Sequence, residues 1–246
     1  MYVPGGGRVF LIDKPVGPTS FQMVRHVRRI LGEKKVGHAG TLDPFASGLL
    51  VVCVGRPATK LISAIMDGEK EYLATLRLGV ETETQDPEGA VTARTPVGRL
   101  SPEQIEACLL RFRGEQEQVP PKYSALKYQG KPLYFYARRG IEVTKESRRI
   151  VIRTLVRTDD DQDLDGDEAD LPIRVVCSRG TYIRTLAADI GRSLGCGAYL
   201  TQLRRIKSGC FSIEDSFPGA DFALPDARDR LLTGGVSVDD VSKLLQ

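Results

Sequence analysis

Apolar positions in this chain come in short runs and alternating stretches, broken by glycine and proline every ten to twenty residues. Residues 9–12 (VFLI) and 48–54 (GLLVVCV) are unbroken apolar runs of strand length. Residues 71–78 (EYLATLRL) alternate apolar with polar or small side chains, as a half-buried strand does. Residues 150–156 and 173–177 give two more strands, paired across the intervening segment. Three stretches carry helix signals instead. Thr19 or Ser20 caps a helix in which Phe21, Val24, Val27 and Leu31 recur at helical spacing, and Gly32 closes it. Ser101 with Pro102 starts a second, running to about Phe112. The third covers residues 183–194 and stops at Gly195. Residues 36–47 and 86–98, rich in Gly, Pro and Thr, read as loops.

Strands outnumber helices and do not alternate with them regularly. The expectation is an α+β fold with a mixed, largely antiparallel central sheet flanked by helices, in a single domain over residues 1–246. Hydrophobic residues at 41% and charged residues at 27% fit ordinary globular usage. No apolar run reaches the ~18 residues of a membrane span, and the N-terminus lacks the pattern of a signal peptide. Five cysteines that never form CxxC, and only two histidines, point away from a disulfide framework or a metal site and toward the cytoplasm. Charge is less ordinary. Residues 159–170 (DDDQDLDGDEAD) hold eight acidic residues and no basic one, so the rest of the chain carries +11 against a total of +3. A body that basic suits phosphate binding, although a solvated surface explains it equally well.

The stretch Gly37-His38-Ala39-Gly40-Thr41-Leu42-Asp43-Pro44 promises a shaped loop that displays Asp43 just before a buried strand. On the local pattern alone, an Asp before Pro is more often a turn residue or cap than a catalytic group. The wider sequence changes that weighting. Six stretches, LIDKPVGPTS (11–20), VGHAGTLDPFASGLL (36–50), KEYLATLRLG (70–79), PPKYSALKYQGKPLYFYAR (120–138), CSRGTYIRTLAADIG (177–191) and LGCGAYLTQLRR (194–205), occur in one order over nearly the whole chain. In that order they resemble the TruB family of pseudouridine synthases.

The resemblance implies a pseudouridine synthase fold with its active site in a cleft, acting on uridine 55 in the T stem-loop of tRNA by base flipping. Isomerisation breaks the C1′–N1 bond, turns the uracil and joins C1′ to C5, so it needs no cofactor and no metal. It needs an ionised carboxylate in a pocket that excludes water. By resemblance that carboxylate is Asp43, acting either by addition to the nucleotide or by removal of a sugar proton. Arg184 matches the arginine that pairs with it, and Tyr72 the tyrosine that stacks on the target uracil. His38 matches the histidine that enters the space the base vacates, Tyr182 and Leu203 line the uracil pocket, and Lys14 lies near the cleft. Without the resemblance Tyr72, Tyr182 and Leu203 would read as core, and Arg184 as an exposed residue in a first helical turn.

Two basic groups suit RNA contact: Arg25, Arg28, Arg29, Lys34 and Lys35, and Lys122, Lys127, Lys131, Arg138 and Arg139. Tyr123, Tyr128, Tyr134 and Tyr136 interleave with the second group, some of them expected in the core. The family resemblance also suggests a monomer. Many relatives continue into a C-terminal RNA-binding domain of the PUA type, for which the ~40 residues after the last motif are too few. Three other readings compete. An RNA-binding module explains the charge but not the three motif residues together. A hydrolase of sugar bonds needs a second carboxylate, for which Asp189 is the nearest candidate. A guide-dependent synthase would use a related domain.

Overall fold

The apolar run near the N-terminus extends as strand β1 (Arg8–Lys14), followed by helix α1 (Ser20–Leu31). Thr19 caps α1 in a reciprocal capping box with Gln22, and Gly32 ends it in the left-handed conformation. The buried face of α1 is Ser20, Met23, Val24, Val27 and Leu31. Phe21, expected on that face, is 58% exposed, because the stripe through 20, 24, 27 and 31 leaves residue 21 a quarter-turn away.

The computed structural model describes residues 7–159 and 162–246, and divides the chain into two compact units. Residues 1–6 and 160–161, parts of the N-terminal and acidic segments discussed above, lie outside the described residues. The first unit joins the chain up to Leu73 with residues 203–246, and the second holds residues 74–202.

In the first unit β1 pairs antiparallel with β3 (Ser47–Val54), Phe10 opposite Val52 and Ile12 opposite Leu50. Both strands are buried on both faces, hence their unbroken apolar reading. The segment read as a loop contains a short strand, β2 (Val36–Ala39), antiparallel to β3 with His38 opposite Val52. Its glycine and histidine gave no alternating pattern, and its pairing comes from the long strand beside it. Two short helices, α2 (Arg56–Lys60) and α3 (Ile62–Asp67), lead to β4 (Lys70–Leu78), which continues into the second unit. Val9, Leu11, Leu49, Val51, Ala58, Ile65, Phe211 and Val241 form one core cluster of the first unit.

In the second unit β5 (Val80–Thr82) pairs with β6 (Val91–Arg94), and β7 (Val97–Leu100) follows. Residues 86–98 therefore hold strand where a loop was expected. The reason is exposure: every residue of β6 faces solvent, so no hydrophobic period marks it. Helix α4 (Pro102–Arg111) starts at Ser101 with a second capping box. Strand β8 (Gly114–Gln118) leads into an arm with a hairpin of β9 (Lys127–Tyr128) and β10 (Lys131–Pro132) and the short helix α5 (Leu133–Ala137). The chain returns as β11 (Arg148–Arg157), antiparallel both to β8 and to β13 (Ala169–Cys177).

Between β11 and β13 the acidic segment carries more structure than its composition promised. Its strand β12 (Leu164–Gly166) pairs with β7. Asp163 bonds Arg99 at 2.6 Å, Glu168 bonds Arg77 at 2.9 Å and also Arg94, and Asp170 bonds Arg77 at 2.6 Å. Arginines, distant ones and the nearby Arg157, rather than buried apolar area, hold it. Helix α6 (Ile183–Leu194) then packs beside α4, and β14 (Ala198–Ser208) crosses back into the first unit. There its Arg205 pairs in parallel with Gly48 of β3. Among the pairings described, that of β3 with β14 is parallel and the others are antiparallel, the mixed α+β sheet expected.

Candidate active site

Asp43 opens a tight turn. Its carbonyl accepts from the amide of Ala46 at 3.1 Å with Pro44 at the second position, where proline's fixed φ favours such a turn. The bland reading of Asp43 as a turn residue is geometrically right, and it describes how the carboxylate is displayed. The side chain is half-buried.

The flanking loop is held from three sides within the first unit. Lys14 is completely buried, and its ammonium donates to the carbonyls of Pro15 (2.8 Å), Pro18 (2.7 Å) and Pro44 (3.3 Å). An ammonium can be buried only where such dipoles replace its water. Ser20 Oγ accepts from the amide of Leu42 at 2.8 Å and donates to its carbonyl at 2.9 Å. Arg205, 2% exposed, donates from Nε to the carbonyl of Leu49 (2.8 Å) and from Nη2 to that of Gly40 (3.0 Å). From the sequence Ser20 reads only as a candidate helix cap, and nothing local separates Arg205 from Arg204, which reaches Asp13 at 2.7 Å.

Gly48 admits this arrangement. Its φ is +103°, and a Cβ there would stand 2.3 Å from the carbonyl oxygen of Arg205. Gly48→Ala is expected to destabilise the protein by roughly 2–5 kcal/mol, the sum of backbone strain and overpacking. Urea unfolding checks this, and an unchanged midpoint contradicts it.

His38 lies on β2 with Nδ1 buried and without a hydrogen-bond partner. Burial first, and the charge of Arg205 second, hold its imidazole below the ordinary histidine range, so it is neutral at pH 7. The folded state then binds fewer protons than the unfolded chain between that lowered value and 6.5. Stability is present above pH 6.5 and is lost as pH falls through the window. His38→Gln should shrink the difference between urea midpoints at pH 7.5 and 5.5. His26, also lowered by burial and by Arg29 and Arg25, leaves a remainder. An undiminished difference would count against the assignment. Tyr72 on β4 and Leu203 on β14 are each 8% exposed, in the same unit as Asp43, His38 and Lys14.

Arg184 and Tyr182 belong to the second unit. Arg184 is not the exposed residue its position in the first turn of α6 suggested. It is 4% exposed, and α6 has no acidic residue in that turn to offset a cation near the positive end of the dipole. The compensation comes from elsewhere. Its Nη1 lies 3.4 Å from the carboxylate of Asp86 and donates to the carbonyl of Thr84 at 2.8 Å, while Nη2 donates to the carbonyl of Tyr123 at 2.7 Å. Asp86, 3% exposed, also accepts from Thr84 Oγ1 and from the amide of Glu88 at 3.0 Å. Gln85, one of two non-glycine residues with a positive φ among those described, forms the bend that presents it. Asp86 went unread because Glu81, Glu83 and Glu88 surround it and only burial singles it out.

Gln118 holds Tyr182 by its main chain. A cleft of 560 Å³ in this unit is lined by residues including Thr84, Gln85, Tyr123, Lys145, Thr185 and Asp189. Asp189, the second acid that a sugar-bond hydrolase would need, pairs with Arg192 at 3.2 Å.

The arm presents the second basic group. Lys122, Lys127, Lys131, Arg138 and Arg139 are all exposed. None of its four tyrosines is core: Tyr128 and Tyr134 are exposed and Tyr123 and Tyr136 half-buried, because so small an excursion encloses little. Arg139 stacks on Phe135 at 3.6 Å, and Arg138 lies over Tyr134 at 5.5 Å, both close enough for cation–π attraction. Arg25, Arg28, Arg29, Lys34 and Lys35 are likewise exposed in the first unit.

The mixed sheet, its helices and its arm place the chain among pseudouridine synthase folds. It is similar to the structure described as a Cbf5-Nop10-Gar1 complex, with 28% identity, a TM-score of 0.69 and 96% of this chain covered. An H/ACA RNP bound to a substrate RNA containing 2′-deoxyuridine gives 25% identity and a TM-score of 0.68. The chain spans about three fifths of each of those two solved chains, 62% and 61%. Residues 28–183 match the model of the TruB family pseudouridylate synthase N-terminal domain, and residues 184–224 that of the tRNA pseudouridylate synthase B C-terminal domain. A tRNA pseudouridine synthase B from Desulfotalea psychrophila is 64% identical over 97% of this chain and 96% of its own length. One from Chromobacterium violaceum is 51% identical over 91% of this chain and 71% of its own. The chain belongs to the TruB family of pseudouridylate synthases. Among the described residues no helix is long and apolar enough to cross a membrane.

Proposed function

We propose that this chain isomerises a uridine of tRNA to pseudouridine at position 55 in the T loop, with Asp43 as the essential carboxylate and no cofactor. Family membership supports the reaction, and relatives named tRNA pseudouridine synthase B support the substrate. The observation that carries Asp43 is the fixing of its loop by Lys14, Ser20 and Arg205, which commits buried polar groups to one half-buried aspartate.

The target base leaves its stack to reach the carboxylate, and neutral His38 takes the vacated space without adding charge. Tyr72 stacks on the uracil, and Tyr182 and Leu203 line its pocket. By its resemblance to the family, Arg184 is the arginine assigned to support the catalytic carboxylate. Lys14, being completely buried, serves substrate binding by holding the loop, not by touching RNA. The exposed cations and aromatics of the arm grip the T stem-loop by phosphate contact and stacking.

Carbodiimide mapping of a T-arm transcript incubated with the protein tests the assignment. A new primer-extension stop at the T-loop uridine is expected. Bound RNA with no stop at any uridine would refute it.

A further inference from the structure

We propose that Gln118 is a positioning residue for Arg184, acting through the main chain of Tyr182. This rests on the reading of Arg184 as part of the catalytic machinery.

Gln118 is the last residue of β8, opposite Arg148 of β11, so the arm leaves and rejoins the sheet at this pair. Residues 114, 115 and 117 of β8 are exposed, yet Gln118 is 5% exposed. Its amide turns both ends to one residue. Oε1 accepts from the amide of Tyr182 at 2.8 Å, and Nε2 donates to the carbonyl of Tyr182 at 3.1 Å. Tyr182 is the N-cap of α6, without a side-chain cap of its own, and its carbonyl also accepts from the amide of Leu186 at 3.1 Å. The two bonds from Gln118 therefore fix the peptide planes on either side of the N-cap. Arg184 stands two residues on, inside the turn whose direction those planes set. Its guanidinium must meet the carbonyls of Thr84 and Tyr123 and the carboxylate of Asp86 together, at 2.8, 2.7 and 3.4 Å. A small rotation of the first turn breaks that fit, because hydrogen bonds weaken steeply with angle.

The side chain required is specific. It needs a donor and an acceptor in one plane at glutamine's reach. Glutamate keeps the acceptor and sets a carboxylate oxygen against the Tyr182 carbonyl. Methionine keeps the shape and offers neither bond.

A double-mutant cycle read by single-turnover rate separates this role from general support of the fold. Gln118→Met should lower the rate about 10- to 100-fold, as misplacement of a reacting group does, with T-arm Kd changed less than about twofold. In an Arg184→Ala background the same change should lower the rate less than about threefold. Equal losses in the two backgrounds, or a loss confined to Kd, would overturn the positioning role and leave Arg184's own role standing. A near-normal rate for Arg184→Ala alone would instead remove Arg184 from the mechanism, and Gln118's assigned role with it. Should Gln118→Met fail to fold, Gln118→Glu runs the same cycle with the same expectations.

Discussion

Asp43→Asn is expected to lower turnover by about four orders of magnitude or more, while the fold and the affinity for a T-arm RNA stay near wild type. The amide has nearly the carboxylate's shape, and the bonds that hold the loop go to main-chain atoms of Gly40, Leu42, Pro44 and Leu49. These named bonds do not use the side chain of residue 43. An amide is neither an effective nucleophile nor a base, so the loss falls on chemistry. The proposed grip on RNA uses the exposed cations of α1 and the arm, which the substitution leaves in place. Stopped turnover with unchanged melting and unchanged RNA anisotropy is the expected combination. Retained turnover would remove Asp43 from the reaction, and lost folding would make it a structural aspartate.

Asp86→Asn should have the next largest effect, and on two quantities at once. Arg184 and Asp86 are a buried ion pair, and neutralising Asp86 removes that countercharge from the buried guanidinium. The carbonyls of Thr84 and Tyr123 still solvate part of the guanidinium, so the loss of stability should be about 2–4 kcal/mol, at or below the usual range for a broken buried pair. Urea midpoints read it. Turnover should also fall at least about tenfold in protein that remains folded, because Arg184 loses one of the groups that aim it. A stable variant with normal turnover would contradict both halves of the argument.

What could be read in advance depended on how local its cause is. The ends of α1, α4 and α6 were legible because Thr19, Ser101, Gly32 and Gly195 each act within a few residues. Strands β1 and β3 were legible because burial on both faces leaves an unbroken apolar run. Strands β2 and β6 were not, since the first takes its pairing from β3 and the second lies in water. Arg77, Arg94 and Arg99 stand 64 to 93 residues away from the carboxylates they bond in the acidic segment, beyond any local pattern, whereas Arg157 reaches Asp159 from two residues away.

The candidate site divides the same way. Motif resemblance marked Asp43, Tyr72, Arg184, His38, Lys14, Tyr182 and Leu203 residue by residue. The groups that support them, Ser20, Arg205, Asp86 and Gln118, emerge only from burial and hydrogen bonding, because each acts on main-chain atoms or charges brought close by the fold.

Tritium release from a [5-³H]uridine-labelled T-arm transcript, using protein dialysed against chelator, tests the central claim most directly. The account predicts release approaching one equivalent per RNA, none when the target uridine is replaced by cytidine, and none with Asp43→Asn. Release that persists from the cytidine transcript or with Asp43→Asn, or no release while the RNA remains bound, would contradict it.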